Sequence, residues 1–290
     1  MIASAPSPLV SAAWLQAQLE AQGNPAQAPD LLILDCRFAL ADASLGQRQY
    51  DQGHISGAHY LSLDRDLSGP VTQPLPAPGG RHPLPDSAQF AQTLNHLGMT
   101  AATQVVAYDD SRFAFAARLW WLLRYLGHDR VAVLDGGWSA WQAAGYGTSL
   151  EIPSLRPGGS FVPQPRPELL ASREAVRHRS ASTVLVDSRS PQRYRGEEEP
   201  IDPIAGSIPG AVNYFWQDVT DDTGLAKSPE AQAQRWAALG QGELPIVYCG
   251  SGVTACVNLL SMAIANIPPA QLYIGGWSDW CAHLTNPEDP

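Results

Sequence analysis

The sequence predicts an α/β protein made of two tandem domains, each a mainly parallel sheet flanked by helices. Three observations point there. Short apolar runs alternate with helix-compatible segments along the whole 290-residue chain, and strand–helix alternation is the pattern of parallel sheets with crossover helices. Four sequence blocks recur in the same order, as a duplication requires. Between the two copies lies a stretch of linker composition.

Taken in chain order, LLILDCR (31–37) is a continuous apolar run ending in Asp-x-Arg, and TVLVDSR (183–189) repeats it 152 positions on. GHISGAHY (53–60) and GSIPGAVNY (206–214) place Gly57 and Gly210 153 apart. VVAYDD (105–110) and PIVYCG (245–250) are offset by 140, and VAVLDGGWSAW (131–141) and QLYIGGWSDW (271–280) by 139. The apolar runs are continuous rather than alternating, which suits strands buried on both faces. FAFAARLWWLLRYLG (113–127) and TACVNLLSMAIAN (254–266) are the helix-compatible segments that follow the third pair of blocks. Residues 148–167 hold five prolines and two glycines without either periodicity. The expected division is therefore a first domain over 1–148, a linker over 149–167 and a second domain over 168–290.

Hydrophobic residues make up 44% of the chain, enough for packed cores, and 28 acidic against 18 basic side chains leave a formal charge of −10. That balance argues against nucleic acid, which needs a basic face, and against anionic membrane surfaces. No apolar run approaches the roughly 20 residues of a bilayer span. The opening MIASAPSPLV lacks the basic and apolar regions of a signal peptide. Cys36, Cys249, Cys256 and Cys281 form neither a CxxC pair nor metal-ligand spacing. Free thiols in a cytoplasmic setting are expected, with no metal.

Chemistry concentrates in PIVYCGSGVTACVN (245–258). Cys249 ends a buried strand, two glycines follow within three residues, and a helix opens near Val253. Glycines allow positive φ and turn N–H groups inward. Amides at a helix N-terminus stabilise an anion, so a thiolate there has a lowered pKa and is a competent nucleophile. Cys36, Cys256 and Cys281 are read as structural. GSGVTA (250–255) formally fits a dinucleotide fingerprint, but the acidic residue needed about 20 positions later is missing. A Cys-dependent phosphatase would carry Arg at position 255, where Ala255 stands.

These blocks together resemble the tandem-domain rhodanese-type sulfurtransferases. The two DxR strands, the two G-H/S-I-x-G-A segments and the two GGW turns all match that family. The resemblance covers nearly all the chain outside the linker. It implies a catalytic second domain and a first domain without its cysteine, where Asp109 holds the matching position. The Cys249 loop is similar to the CG[ST]GVTA loop of members that use 3-mercaptopyruvate. Thiosulfate-using members carry a basic pair where this chain has Gly250 and Ser251.

What the resemblance implies is a sulfurtransferase that moves sulfur from 3-mercaptopyruvate through a Cys249 persulfide to a thiol acceptor or cyanide. The thiol would be a small one or that of a thioredoxin-like protein. No cofactor is needed. Thiosulfate is the alternative donor, and a non-catalytic persulfide carrier is a further alternative. By the same resemblance Asp64, His82 and Ser251 form a proton-moving triad, Arg193 binds the substrate carboxylate, and Gly250, Gly252, Val253 and Thr254 form the loop around the substrate. The match fails at Ile201, where the mercaptopyruvate-using members have a second Arg; Arg195 is one substitute. The acidic run Glu197–Glu199 is read as a solvated loop. Both DxR motifs are read as structural, because the half without a catalytic cysteine has one too, and the GGW tryptophans are expected to pack domain edges.

Overall fold

The computed structural model describes residues 5, 7–21, 31–71, 79–155, 157–239 and 244–284. The first four residues, on which part of the signal-peptide reading rests, and Arg156 of the expected linker lie outside them. The chain forms two compact units. The first comprises Met1–Leu67, Pro85–Arg166 and Thr220–Ala226, and the second Ser68–Leu84, Pro167–Val219 and Lys227–Pro290.

The first unit runs β1 (Leu9–Val10), α1 (Ala12–Ala21), β2 (Leu31–Asp35), α2 (Leu45–Gln52), β3 (His54–Ile55), β4 (Ala58–Tyr60), α3 (Ser87–His96), β5 (Gln104–Tyr108), α4 (Ala116–Tyr125), β6 (Val131–Leu134), α5 (Gly137–Ala143) and β7 (Thr148–Ser149). Five strands form a parallel sheet in the order β1-β6-β5-β2-β4, and β3 pairs antiparallel with β7. Every residue of β2, β5 and β6 is buried, as continuous apolar runs require.

The second unit repeats the plan with α6 (Arg173–Arg177), β8 (Leu185–Asp187), α7 (Pro191–Tyr194), β9 (Ala211–Asn213), α8 (Pro229–Trp236), β10 (Ile246–Tyr248), α9 (Ala255–Ile264), β11 (Gln271–Leu272) and α10 (Gly276–Leu284). Its four strands are parallel in the order β11-β10-β8-β9. The helix after the Cys249 loop opens at Ala255, two residues later than the glycine spacing suggests, because the loop turns through Gly252 first. Nine of the ten residues of α9 are buried, with Asn258 and Ser261 among them held by hydrogen bonds, so this helix lies inside the unit.

Each DxR motif closes one strand in the same way. Asp35 takes Nε and Nη2 of Arg37, at 3.0–3.1 and 2.6 Å, and Arg37 Nη2 also donates to the Gly53 carbonyl at 2.7 Å. Asp187 and Arg189 repeat this, with Arg189 Nη2 on the Gly206 carbonyl at 2.6 Å. The guanidiniums lie 4.4 Å from the Trp138 ring centroid and 4.9 Å from that of Trp277. The GGW tryptophans therefore cover the arginines instead of packing a domain edge. Each buried pair ties a strand end to the glycine that opens the next repeat block.

Removing only the cation should show how much each pair matters. Arg37→Met is expected to destabilise the first unit by about 3–5 kcal/mol, because the Asp35 charge then stays buried without a countercharge, although the Tyr108 hydroxyl at 2.6 Å and the backbone N–H of residue 37 still donate to it. A urea midpoint equal to wild type would place the stability of that strand end elsewhere.

Candidate active site

Cys249 follows β10 at the carboxyl edge of the parallel sheet, where ligands bind in open α/β folds. Its side chain is only 2% exposed and forms no disulfide. The loop is held from the far side by the start of α10. Trp277 N donates to the Cys249 carbonyl and Ser278 N to the Gly250 carbonyl, each at 2.8 Å. Gly252 sits at φ +69, and a Cβ there would collide with the Ile274 carbonyl. Only glycine satisfies both constraints. Val253 is buried, and Thr254 is the last loop residue before α9.

The first unit has a related turn at the equivalent strand end. Asp109 follows β5 as Cys249 follows β10. Its carboxylate accepts N–H bonds from Ser111 at 2.8 Å, Phe113 at 3.1 Å, Phe115 at 2.9 Å and Ala116 at 2.8 Å. The offset of 140 maps these amides onto Ser251, Val253, Ala255 and Cys256; here Cys256 N bonds Val253 O. The equivalent turn thus holds a carboxylate in one half and follows a thiol in the other, and the two differ in detail: Phe113 lies at positive φ and Val253 does not. The first-half turn stands in the left-handed region at Arg112 (φ 57) and Phe113 (φ 71), which costs about 1–3 kcal/mol per residue. Arg112 is pinned by the Thr220 hydroxyl at 2.6 Å and the Asp221 carbonyl at 2.7 Å.

The other cysteines face carbonyls. Cys36 Sγ lies 3.8 Å from the Leu34 oxygen, Cys256 Sγ 3.4 Å from that of Gly252, and Cys281 Sγ 3.5 Å from that of Ser278. Burial pushes the Cys36 thiol well above its usual range, and it pushes Cys281 up to about 11.

The structure brings His82 to Ser251, with Nδ1 2.7 Å from the serine hydroxyl. The segment carrying His82 is fixed to the start of α10. Gly79 N donates to Asp279 at 2.7 Å, and Gly80, at φ +71, packs so closely on the Gly275 carbonyl that a Cβ would be excluded. Asp279 also accepts the Tyr273 hydroxyl at 2.5 Å. Asp64 lies in the first unit, in the exposed turn that follows β4.

Arg193 stands on α7, whose first turn is capped by Ser190. Its Nε and Nη2 bind Glu199 at 3.1 and 2.6 Å, and Nη2 reaches Asp202 at 3.3 Å. Glu199 also pairs with Arg189 at 3.2 Å. The solvated reading therefore holds for Glu197, which pairs with Arg195 in the open, and fails for Glu199, whose side chain is only 3% exposed. Burial raises the Glu199 pKa, but Arg193 and the N–H groups of Asp202 and Ile201 outweigh it and hold the carboxyl below its usual range. Ile201 is 47% exposed.

Sequence reasoning missed Arg81, although it adjoins His82. Its Nη1 forms an ion pair with Asp202. A Cβ added at Gly250 would lie 3.0 Å from Arg81 Nη2 and 3.5 Å from both Nη1 and Nη2 of Arg193. The loop contains no cation of its own, yet two guanidiniums flank the residue next to Cys249. The available signal was the loop's missing charge, which has to come from elsewhere in the chain.

The chain matches the family model described as a rhodanese-like domain twice, over residues 11–144 and 171–283. A Pseudomonas aeruginosa protein named "Probable 3-mercaptopyruvate sulfurtransferase" is 48% identical over 269 residues, spanning 90% of this chain and 92% of that one. A Mycobacterium tuberculosis protein, provisionally named a thiosulfate sulfurtransferase, is 36% identical, spanning 96% and 95%. Among solved structures, a 3-mercaptopyruvate sulfurtransferase from Leishmania major superposes with a TM-score of 0.82 at 26% identity, spanning 99% of this chain and 78% of that one. The match of both halves to one family model agrees with the two parallel sheets and the repeated sequence blocks. This chain belongs to the rhodanese-like family.

Proposed function

We propose that this chain is a 3-mercaptopyruvate sulfurtransferase whose persulfide carrier is Cys249. The observation that carries the reading is the 2.7 Å contact between His82 and Ser251, two residues from the strand-end Cys249. The Cys249 thiolate attacks the sulfur of 3-mercaptopyruvate. The carbon–sulfur bond breaks with its electrons going to carbon, and the enolate of pyruvate leaves. Ser251 and His82 hand it the proton, with Asp64 as the third member of the relay. The outer sulfur stays on Cys249 as a persulfide held by the loop amides, with Gly250, Gly252, Val253 and Thr254 forming the loop around the substrate. A small thiol, a thioredoxin-like protein or cyanide then attacks that sulfur and restores the thiolate. Arg193 holds the substrate carboxylate. No metal or organic cofactor takes part, and the setting is cytoplasmic. Among the described residues no helix is long and apolar enough to cross a membrane. The catalytic domain is taken as 168–290, joined by 149–167 to a domain over 1–148 that carries no catalytic cysteine.

Thiosulfate is the second reading, favoured by the Mycobacterium tuberculosis relative. Its dianion gains more from adjacent cations than a monocarboxylate does. Against it, the loop itself offers only dipoles, and a Ser–His pair is useful to a leaving group that needs a proton. The expected result is a kcat/KM for 3-mercaptopyruvate at least about tenfold above that for thiosulfate, equivalent to about 1.4 kcal/mol. Initial rates with both donors at matched cyanide decide it. Equal or higher efficiency with thiosulfate overturns the donor assignment and leaves the Cys249 persulfide standing. A mass gain of one sulfur on the intact protein, reversed by dithiothreitol, tests the persulfide itself, and turnover separates an enzyme from a carrier.

A further inference from the structure

We infer that Arg81 is the second cation of the substrate-carboxylate site, supplied by the glycine-rich segment before His82. The inference rests on the mercaptopyruvate reading above. At the position where the mercaptopyruvate-using members have a second Arg, the chain presents Ile201, nearly half exposed and without charge. Arg195 is turned to Glu197, with half of its side chain in solvent. Arg81 has the geometry both lack. Its side chain is 17% exposed, and its Nη2 reaches the Cβ position of Gly250 at 3.0 Å, closer than either nitrogen of Arg193.

The hydrogen bonds show which edges are committed. Arg193 gives Nε and Nη2 to Glu199 and Asp202, and among the described residues its Nη1 donates to nothing. Arg81 gives Nη1 to Asp202, and its Nη2 likewise has no acceptor among them. Asp202 therefore holds both guanidiniums from behind and leaves one N–H₂ group of each beside Gly250. Two such groups from separate arginines suit the two oxygens of one carboxylate. Gly250 has no side chain to fill the gap between them, which explains why glycine stands where thiosulfate-type loops place a cation. The backing carboxylates Glu199 and Asp202 balance the charge of Arg81 and Arg193. The free site is therefore near neutral locally, and a bound carboxylate adds one negative charge on donors already oriented.

The test compares wild type with Arg81→Ala and Arg81→Lys on two donors. The first is 3-mercaptopyruvate. The second is mercaptoacetone, which keeps the thiol and ketone but has no carboxylate. Arg81→Ala is expected to raise KM for 3-mercaptopyruvate by about tenfold or more, the effect of one charge-assisted hydrogen bond, with a much smaller fall in kcat. Arg81→Lys, which keeps the charge but loses the fork, falls between the two. The kcat pH profile, which reports the His82 relay, stays unshifted. Mercaptoacetone turnover is depressed in wild type and is not depressed further by Arg81→Ala. An unchanged KM in both variants overturns the assignment, as does an equal loss on the two donors, which would mark Arg81 as a positioning group for His82. If wild type turns over no 3-mercaptopyruvate at all, the donor reading fails before Arg81 is examined, so the two failures are distinguishable. Thermal melting of both variants identifies a folding defect, and the lysine variant then carries the comparison.

Discussion

Cys249→Ser is expected to abolish sulfur transfer, while Cys256→Ser and Cys281→Ser keep most of it. Serine is a far weaker nucleophile at neutral pH and cannot hold a sulfane sulfur. The other two cysteines are expected to stay outside the chemistry. Cys256 is inside α9, fully buried, with its sulfur on the Gly252 carbonyl. Cys281 is also fully buried, and a thiol pushed up to about 11 is almost wholly protonated at neutral pH. Thiocyanate formation from 3-mercaptopyruvate and cyanide measures the effect. More than about a tenth of wild-type activity in Cys249→Ser would sink the assignment of the nucleophile.

Arg193→Ala is expected to raise KM for 3-mercaptopyruvate roughly 10- to 150-fold, the range of about 1.5–3 kcal/mol for a charge-assisted hydrogen bond. The structure adds a second consequence. Arg193 also neutralises Glu199, which keeps Arg189 at 3.2 Å as its other cation. Part of the loss should therefore appear as a lower melting temperature, and Arg193→Lys should recover much of that stability without the forked geometry. A KM equal to wild type would place the carboxylate elsewhere.

The framework was legible in the sequence because it depends on local signals. Continuous apolar runs became strands buried on both faces, and four blocks recurring in the same order at nearly constant offset marked the repeat. The strand–loop–helix setting of Cys249 was legible because strand, glycines and helix are contiguous. What escaped depends on contacts between residues far apart in the chain. Glu199 looks like any member of an acidic run until Arg189 and Arg193 close over it. Arg81 stands more than 160 positions before Gly250 in the chain, and no periodicity links a turn residue to a loop at that distance. The tryptophans of the GGW turns were read as edge packing because sequence shows their apolar area but not the guanidinium beneath them.

The carboxylate of Asp109 occupies the first unit's anion turn as a tethered ligand. Tethering gives it an effective concentration in the millimolar range or above, and unlike a solute it cannot be washed out or diluted. Phosphate, sulfite and chloride would have to displace a carboxylate that already accepts four N–H bonds, so that half is expected to be closed to solution anions. The Cys249 half has no such occupant and meets the same solutes in direct competition with its substrate. Inhibition by simple anions should therefore follow single-site kinetics, despite the duplicated turn.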